Sequence, residues 1–291
     1  MSIQRSWLFV PGDKQKMIKN TKDLETDIII FDLEDSVLEK NKLEAIKNIN
    51  NFISYDNDYE NNYYVRINND SSQSALKDIT SIFNKKIKGF ILPKSECPNQ
   101  IICVDRKLSQ LEKEQKVRKG EIKVIPLIES AKGVLNAFEL GKSSNRVKCL
   151  AFGSLDYILD IDAEETSDRL EIFYAQSKLV VASRAAGIEP PIDTVFPDIE
   201  NINGLYRESE YAKKLGFQGK LLIHPSQIDV INKVFSPTLT DIEEAKKIIN
   251  IIQESPNQGV FRLDGKMIDG PVIKKAKTIL NKAETLGIVK K

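Results

Sequence analysis

Short runs of Val, Ile, Leu and Phe alternate with longer segments of helical period along almost the whole chain. The runs fall at 7–10, 27–31, 63–67, 89–92, 123–128, 147–152, 192–196 and 220–223. A strand with one wet face alternates apolar and polar residues. These runs are nearly continuous, as strands covered on both faces must be. Between them, Leu43, Ile46, Ile49 and Ile53, or Ala75, Leu76, Ile79 and Phe83, recur at spacings that share one helical face. Eight strands, each followed by a helix, is the count that closes an α/β fold into a (β/α)8 TIM barrel. An open doubly wound sheet competes with it, but that fold normally has a Gly-rich loop after its first strand, and Pro11-Gly12-Asp13 is not one.

One long helix is predicted over 168–187, with Gly187 where a C-terminal cap is expected. A helical pattern near 228–234 then leads to a break at Ser236-Pro237. The barrel is therefore expected over 1–236 and a C-terminal helical extension over 237–291. The extension reads as a helix over 240–252, a stretch through Gly259, Asp264 and Gly270, and a final helix from Pro271, which suits a first helical turn. It is too short for a core of its own. It is expected to pack on the barrel or on a neighbouring subunit, as a lid that contributes to an active site.

Composition removes several classes of function. Forty-three basic against 42 acidic residues leave a net charge of +1, so no global field recruits nucleic acid or a membrane surface. No apolar stretch is long enough to span a bilayer and no signal-peptide pattern is present, which makes the cytoplasm the default expectation. Cys97, Cys103 and Cys149 have no metal-ligand spacing and read as ordinary thiols. The single histidine, His224, excludes zinc sites built from several imidazoles. With no G-x-S-x-G elbow, most hydrolases lose their base, and His224 is expected to be structural.

The active site of such a barrel forms at the C-terminal tips of its strands. Strand two ends in Asp32-Leu33-Glu34-Asp35, strand three in Arg66, strand four in Pro93-Lys94, strand five in Glu129, and strand six in Gly153 with Asp156 just beyond. Any one acid there could merely start the next helix. Several carboxylates around one mouth repel one another unless cations neutralise them. Arg66 and Lys94 supply part of that charge, and a divalent metal would supply the rest. Glu129 and Asp156, on adjacent strands, offer oxygens alone, which suits Mg²⁺ and not zinc.

These segments also carry a resemblance. Arg5-Ser6-Trp7-Leu8-Phe9-Val10-Pro11-Gly12, Ile30-Phe31-Asp32-Leu33-Glu34-Asp35, Val65-Arg66-Ile67-Asn68, Leu127-Ile128-Glu129-Ser130, Phe152-Gly153 with Asp156-Tyr157, Ile223-His224-Pro225 and Met267-Ile268-Asp269 occur in order over nearly the whole chain. Together they resemble the citrate lyase beta-subunit-like branch of the HpcH/HpaI aldolase family. The resemblance implies an Mg²⁺-dependent lyase that cleaves a 3-hydroxyacyl thioester of citramalyl-CoA or malyl-CoA type into acetyl-CoA and a keto acid. It implies that Glu129 and Asp156 ligate the metal and that Asp32 and Glu34 order waters around it. Arg66 would contact the substrate and the thioester enolate, and Asp269 would act as acid/base on the acetyl carbon. The loop of Gly153 and Ser154 would back the keto-acid carboxylate. Arg5 and Lys94 are candidates to touch substrate or CoA phosphates, with a rim salt bridge as the alternative for each. A homotrimer is the implied assembly.

Two departures stand out. Leu155 occupies the position before Asp156 where the family commonly has an acid, and Asp35 stands where class II aldolases carry a histidine base. Two further functions stay in view: a citrate lyase beta subunit working on a citryl thioester of an acyl carrier protein, which the same resemblance allows, and a catalytically silent barrel that binds a keto acid or a partner, which Leu155 leaves open.

Overall fold

The computed structural model describes residues 4–56, 62–166, 168–254, 261–263 and 266–289. They divide into two compact units, one spanning 4–232 and one from 233 onward.

The first unit is a closed barrel of eight parallel strands in sequence order. The strands are β1 (Ser6–Pro11), β2 (Ile28–Asp32), β3 (Tyr63–Arg66), β4 (Ile87–Leu92), β5 (Lys123–Ile128), β6 (Ala151–Phe152), β7 (Ile192–Asp193) and β8 (Gly219–Leu222). The surrounding helices are α1 (Gln15–Asn20), α2 (Lys42–Tyr55), α3 (Ser72–Ile82), α4 (Pro98–Glu114), α5 (Ala131–Leu135), α6 (Ala137–Lys142), α7 (Ser154–Asp160), α8 (Leu170–Ala186), α9 (Ile202–Leu215) and α10 (Ile228–Phe235), which runs across the unit boundary. The ring closes where Trp7 pairs with Leu221.

Alternation along the strands decides what lies inside. Trp7, Ile28, Ile30, Tyr64, Ile91, Ile125, Leu127, Ala151, Ile192 and Leu221 form one buried cluster, with Phe9 and Val195 packed against it. Every second residue shares a face, so the next inward positions are Asp32 on β2, Arg66 on β3, Glu129 after β5, Gly153 after β6 and Thr194 after β7. The outward positions pack under the helices, for example Phe31 against Phe52 of α2. The interior is thus apolar through its middle, and charged residues gather at the C-terminal end of the strands.

Most predicted barrel elements are present, with two differences. The sixth and seventh strands are far shorter than 147–152 and 192–196. Val124 still bridges Val147, and the Ile192 N–H still reaches the Leu150 carbonyl at 2.9 Å, so the ladder is interrupted and not lost. Of the predicted face of α2, Ile49 and Ile53 are buried as expected, whereas Leu43 is exposed and Ala45 is buried in its place. Gly187 caps α8 in the left-handed region (φ 75°), where a residue without Cβ is favoured.

The second unit holds α11 (Leu239–Glu254), the antiparallel pair β9 (Phe261–Leu263) and β10 (Lys266–Ile268), and α12 (Gly270–Thr285). Thr238 and Asp241 cap the start of α11 reciprocally. The hairpin falls in the stretch through Gly259, Asp264 and Gly270, to which the sequence assigned no strand; Gly259 and Asp264 lie outside the described residues. No described helix is long and apolar enough to cross a membrane.

Candidate active site

The charged end of the barrel opens on a cavity of about 250 Å³. Asp32, Arg66, Glu129, Gly153 and Asp156 line it, facing an apolar side of Phe9, Leu155, Val195 and Ile223.

Arg66 is clamped in place. Its Nε donates to Asp32 Oδ1 and its Nη2 to Asp32 Oδ2, both at 2.7 Å. Nη1 lies 3.1 Å from Glu34 Oε2 and 3.5 Å from Asp35 Oδ2. The guanidinium stacks 4.6 Å from the centre of the Phe9 ring. Asp32 also accepts from the Glu34 and Ser36 backbone N–H groups and from the Ser36 hydroxyl. Burial raises the Asp32 pKa, but the Arg66 and Ser36 bonds more than offset it and hold the carboxyl below its ordinary value. Burial likewise disfavours the Arg66 charge, and the Asp32 bonds outweigh it, so the guanidinium stays protonated. Glu34 differs. Burial raises it despite Arg66 and Lys94, whose ammonium sits 2.7 Å from Glu34 Oε1.

Glu129 is 5% exposed and accepts the Lys94 backbone N–H at 2.8 Å. Its carboxyl is pushed up to about 8, first by burial and then by the like charges of Glu34 and Asp156, while the Lys94 N–H and Arg66 pull the other way. A buried carboxylate whose charge the protein leaves this uncompensated is poised for a cation. Gly153 makes the space for it: a Cβ there would come within 2.6 Å of Glu129 Cγ and 2.7 Å of Oε1. Asp156 is an exposed residue of the first turn of α7. Arg66 and Lys94 thus stand against Asp32, Glu34, Asp35, Glu129 and Asp156. Among the described residues, no group of three or more His, Cys, Asp or Glu is arranged to hold a metal. A cation here would rest on two carboxylates and take its remaining oxygens from substrate and water, as Mg²⁺ does. The residues present fit that ion.

Other expected residues lie elsewhere or are differently engaged. Arg5 is a correction. It precedes β1, at the N-terminal end of the parallel strands and opposite the mouth, where Nε and Nη2 clamp Asp27 at 2.9 and 2.7 Å. The salt bridge was the alternative, and it is what forms. Lys94 sits at the mouth, with its ammonium committed to Glu34. The Ser154 hydroxyl is buried and lies 2.9 Å from Thr194 Oγ1. His224 binds its own turn, 2.8 Å from Ser226 Oγ. Asp269 belongs to the second unit, where it caps α12 by accepting the Val272 N–H at 3.4 Å. Phe9, Ser36 and Thr194 were not foreseen. They are neutral, and the strand tips were read by charge; alternation from Ile192 would have pointed to Thr194.

Comparison with known proteins gives two family matches. Residues 5–225 match HpcH/HpaI aldolase/citrate lyase, and residues 166–288 match a C-C bond lyase of the TIM-barrel fold. The chain is 34% identical over 287 residues to citrate lyase subunit beta of Haemophilus influenzae, covering 98% of each chain. It is 34% identical over 295 residues to mitochondrial citramalyl-CoA lyase of Mus musculus, covering 97% of this chain and 87% of that one. The crystal structure of CitE from Mycobacterium tuberculosis in complex with magnesium, acetoacetate and coenzyme A superposes with a TM-score of 0.79 at 27% identity, covering 97% and 98% of the two chains.

Proposed function

This chain belongs to the HpcH/HpaI aldolase/citrate lyase family, and on that premise we propose that it is an Mg²⁺-dependent carbon–carbon lyase of a 3-hydroxyacyl-CoA, of citramalyl-CoA or malyl-CoA type. The observation that carries the proposal is the uncompensated Glu129 carboxyl beside Asp156 and Arg66 at the barrel mouth. Relatives that act on such thioesters, and a relative crystallised with magnesium and coenzyme A, support it.

Glu129 and Asp156 would hold the ion, which when bound polarises the α-oxygen of the keto acid. Cleavage leaves an acetyl-thioester enolate, which needs fixed positive charge where its oxyanion develops. Arg66 is suited to that. A guanidinium has five N–H donors; the Asp32 clamp uses one from Nε and one from Nη2, leaving Nη2 a second hydrogen to give. The Asp32 clamp also holds the plane of the guanidinium, so little reorganisation is needed as charge forms. Glu34 and Asp32 are assigned the waters around the ion. Asp269 is assigned the proton transfer at the acetyl carbon, on the strength of the Met267-Ile268-Asp269 match. A homotrimer in the cytoplasm is the assembly and compartment we infer, and light scattering of the purified protein tests the first.

Purified protein should release pyruvate or glyoxylate from citramalyl-CoA or malyl-CoA with Mg²⁺, and Glu129→Ala should not. Full turnover in EDTA would refute the proposal. A second reading, a citrate lyase beta subunit, is favoured by the match to such a subunit over 98% of both chains. It expects copurification with an acyl carrier protein and a transferase subunit, and slow turnover of free CoA thioesters.

A further inference from the structure

Behind the cavity wall lies a buried set of charges that the reaction above does not use. Lys220 on β8 and Asp193 on β7 alternate with the inward-facing Leu221 and Ile192, so both point away from the barrel axis toward the helices. Both are fully buried. The Lys220 ammonium lies 2.6 Å from Asp193 Oδ2 and also bonds Glu208 of α9. Gln176 of α8 donates to the other Asp193 oxygen at 2.9 Å. The second Glu208 oxygen accepts from Arg169 Nη1 at 2.7 Å. Lys220 and Arg169 balance Asp193 and Glu208, with the exposed Glu165 a further 3.6 Å from Arg169 Nη1, and that balance keeps such burial tolerable.

The set does not end on itself. Arg169 Nη2 donates to Ser154 Oγ at 3.1 Å, Ser154 Oγ lies 2.9 Å from Thr194 Oγ1, and Thr194 Oγ1 accepts the Ser154 backbone N–H at 3.0 Å. Arg169 reaches this position with a left-handed backbone (φ 55°), a conformation disfavoured for a residue with a Cβ. Ser154 opens α7, and Asp156 is two residues on in its first turn. A seven-residue helix does not set its own orientation, because so short a segment is not stable alone. Its far end is tied by the Ala131 N–H, which donates to Asp160 Oδ2 at 2.7 Å. Its near end is tied through the Gly153 and Ser154 backbone, through the packing of buried Tyr157 on Phe152, and, at Ser154 itself, through this hydroxyl clamp.

From this geometry we propose that Arg169 and Thr194 are positioning residues that fix the start of α7, and thereby set Asp156 against Glu129 for a divalent cation. Stability alone does not explain the set, since well-packed apolar residues would serve a core at least as well as the fully buried Lys220 and Asp193 with the partly buried Glu208 and Arg169 beside them. The proposal rests on the metal role assigned to Glu129 and Asp156. Residues that orient a ligand without touching the ion typically contribute about 10- to 100-fold to metal affinity.

Mn²⁺ titrated calorimetrically into the full-length protein, without substrate, reads the effect independently of turnover. Thr194→Val is nearly isosteric but loses the acceptor for the Ser154 N–H. Arg169→Lys keeps a charge opposite Glu208, but a single ammonium does not span Glu208 and Ser154 together. Both should weaken Mn²⁺ about 10- to 100-fold, while Thr194→Ser, which keeps the hydroxyl, stays within about threefold. Ser154→Ala tests the same clamp should Thr194→Val not fold. If wild type binds Mn²⁺ and these variants bind it equally well, whatever their melting temperatures, the positioning role is overturned alone. If wild type binds no Mn²⁺, the metal reading falls and this inference with it.

Discussion

Replacing Glu129 by Gln should stabilise the metal-free protein at alkaline pH while abolishing its response to Mg²⁺. Glu129 is 5% exposed, and its carboxyl rises from an ordinary value of 4.5 to about 8, mainly through burial. A folded-state pKa raised above the unfolded value means the native state holds a proton that the unfolded chain releases. The associated stability is fully present below pH 4.5 and is lost as pH rises toward 8. At roughly 1.4 kcal/mol per pH unit, the interval from 4.5 to 7 corresponds to about 3 kcal/mol. The substituted side chain imitates the protonated carboxyl, and its amide oxygen can still accept the Lys94 N–H. In EDTA the variant should therefore match wild type near pH 5 and exceed it by a few kcal/mol near pH 8. Added Mg²⁺ should reverse the order, because only wild type gains by binding it. Urea unfolding at both pH values, with EDTA or Mg²⁺, measures all four combinations. A variant less stable than wild type in EDTA at pH 8, or a wild type indifferent to Mg²⁺, would refute the view of Glu129 as a charge awaiting its cation.

Three further outcomes follow from the same geometry. Because Mg²⁺ must displace the Glu129 proton, its affinity should weaken about tenfold per pH unit below pH 8 and level off above it, as calorimetry across pH would show. Gly153→Ala should fold, since φ is −113°, but its Cβ would press on Glu129; Mg²⁺ affinity should drop at least about tenfold. Arg5→Ala should lower stability by about 1–3 kcal/mol through the lost Asp27 clamp, with KM and kcat unchanged, because the pair lies at the opposite end of the barrel.

What the sequence made legible has a physical pattern. Strand number and order were visible because strands covered on both faces stay apolar throughout, as Ile28 to Phe31 do. The candidate site was visible because charge on such strands is exceptional and can sit only at their ends, which singled out Asp32, Arg66 and Glu129. Charge alone does not say which end of a strand a residue occupies. Arg5 immediately precedes β1 and Lys94 lies two residues past β4, and only the direction of the chain separates rim from mouth. Burial inverted the signal again at Lys220 and Asp193, which a linear reading takes for strand-edge polarity but which are sealed between barrel and helices. Thr194 and Ser36 carried no charge to notice, and their importance lies in partners 40 and 4 residues away. Asp269, followed by Gly270, reads equally as a turn residue or an acid in one dimension, and in three it caps α12.

The decisive measurement is a crystal structure with Mn²⁺ and pyruvate, with data collected where manganese scatters anomalously. One peak should lie about 2.0–2.3 Å from a carboxylate oxygen of Glu129 and from one of Asp156, with pyruvate oxygens completing the shell. Manganese bound elsewhere, or those two side chains turned into separate ion pairs with no peak between them, would contradict the assignment.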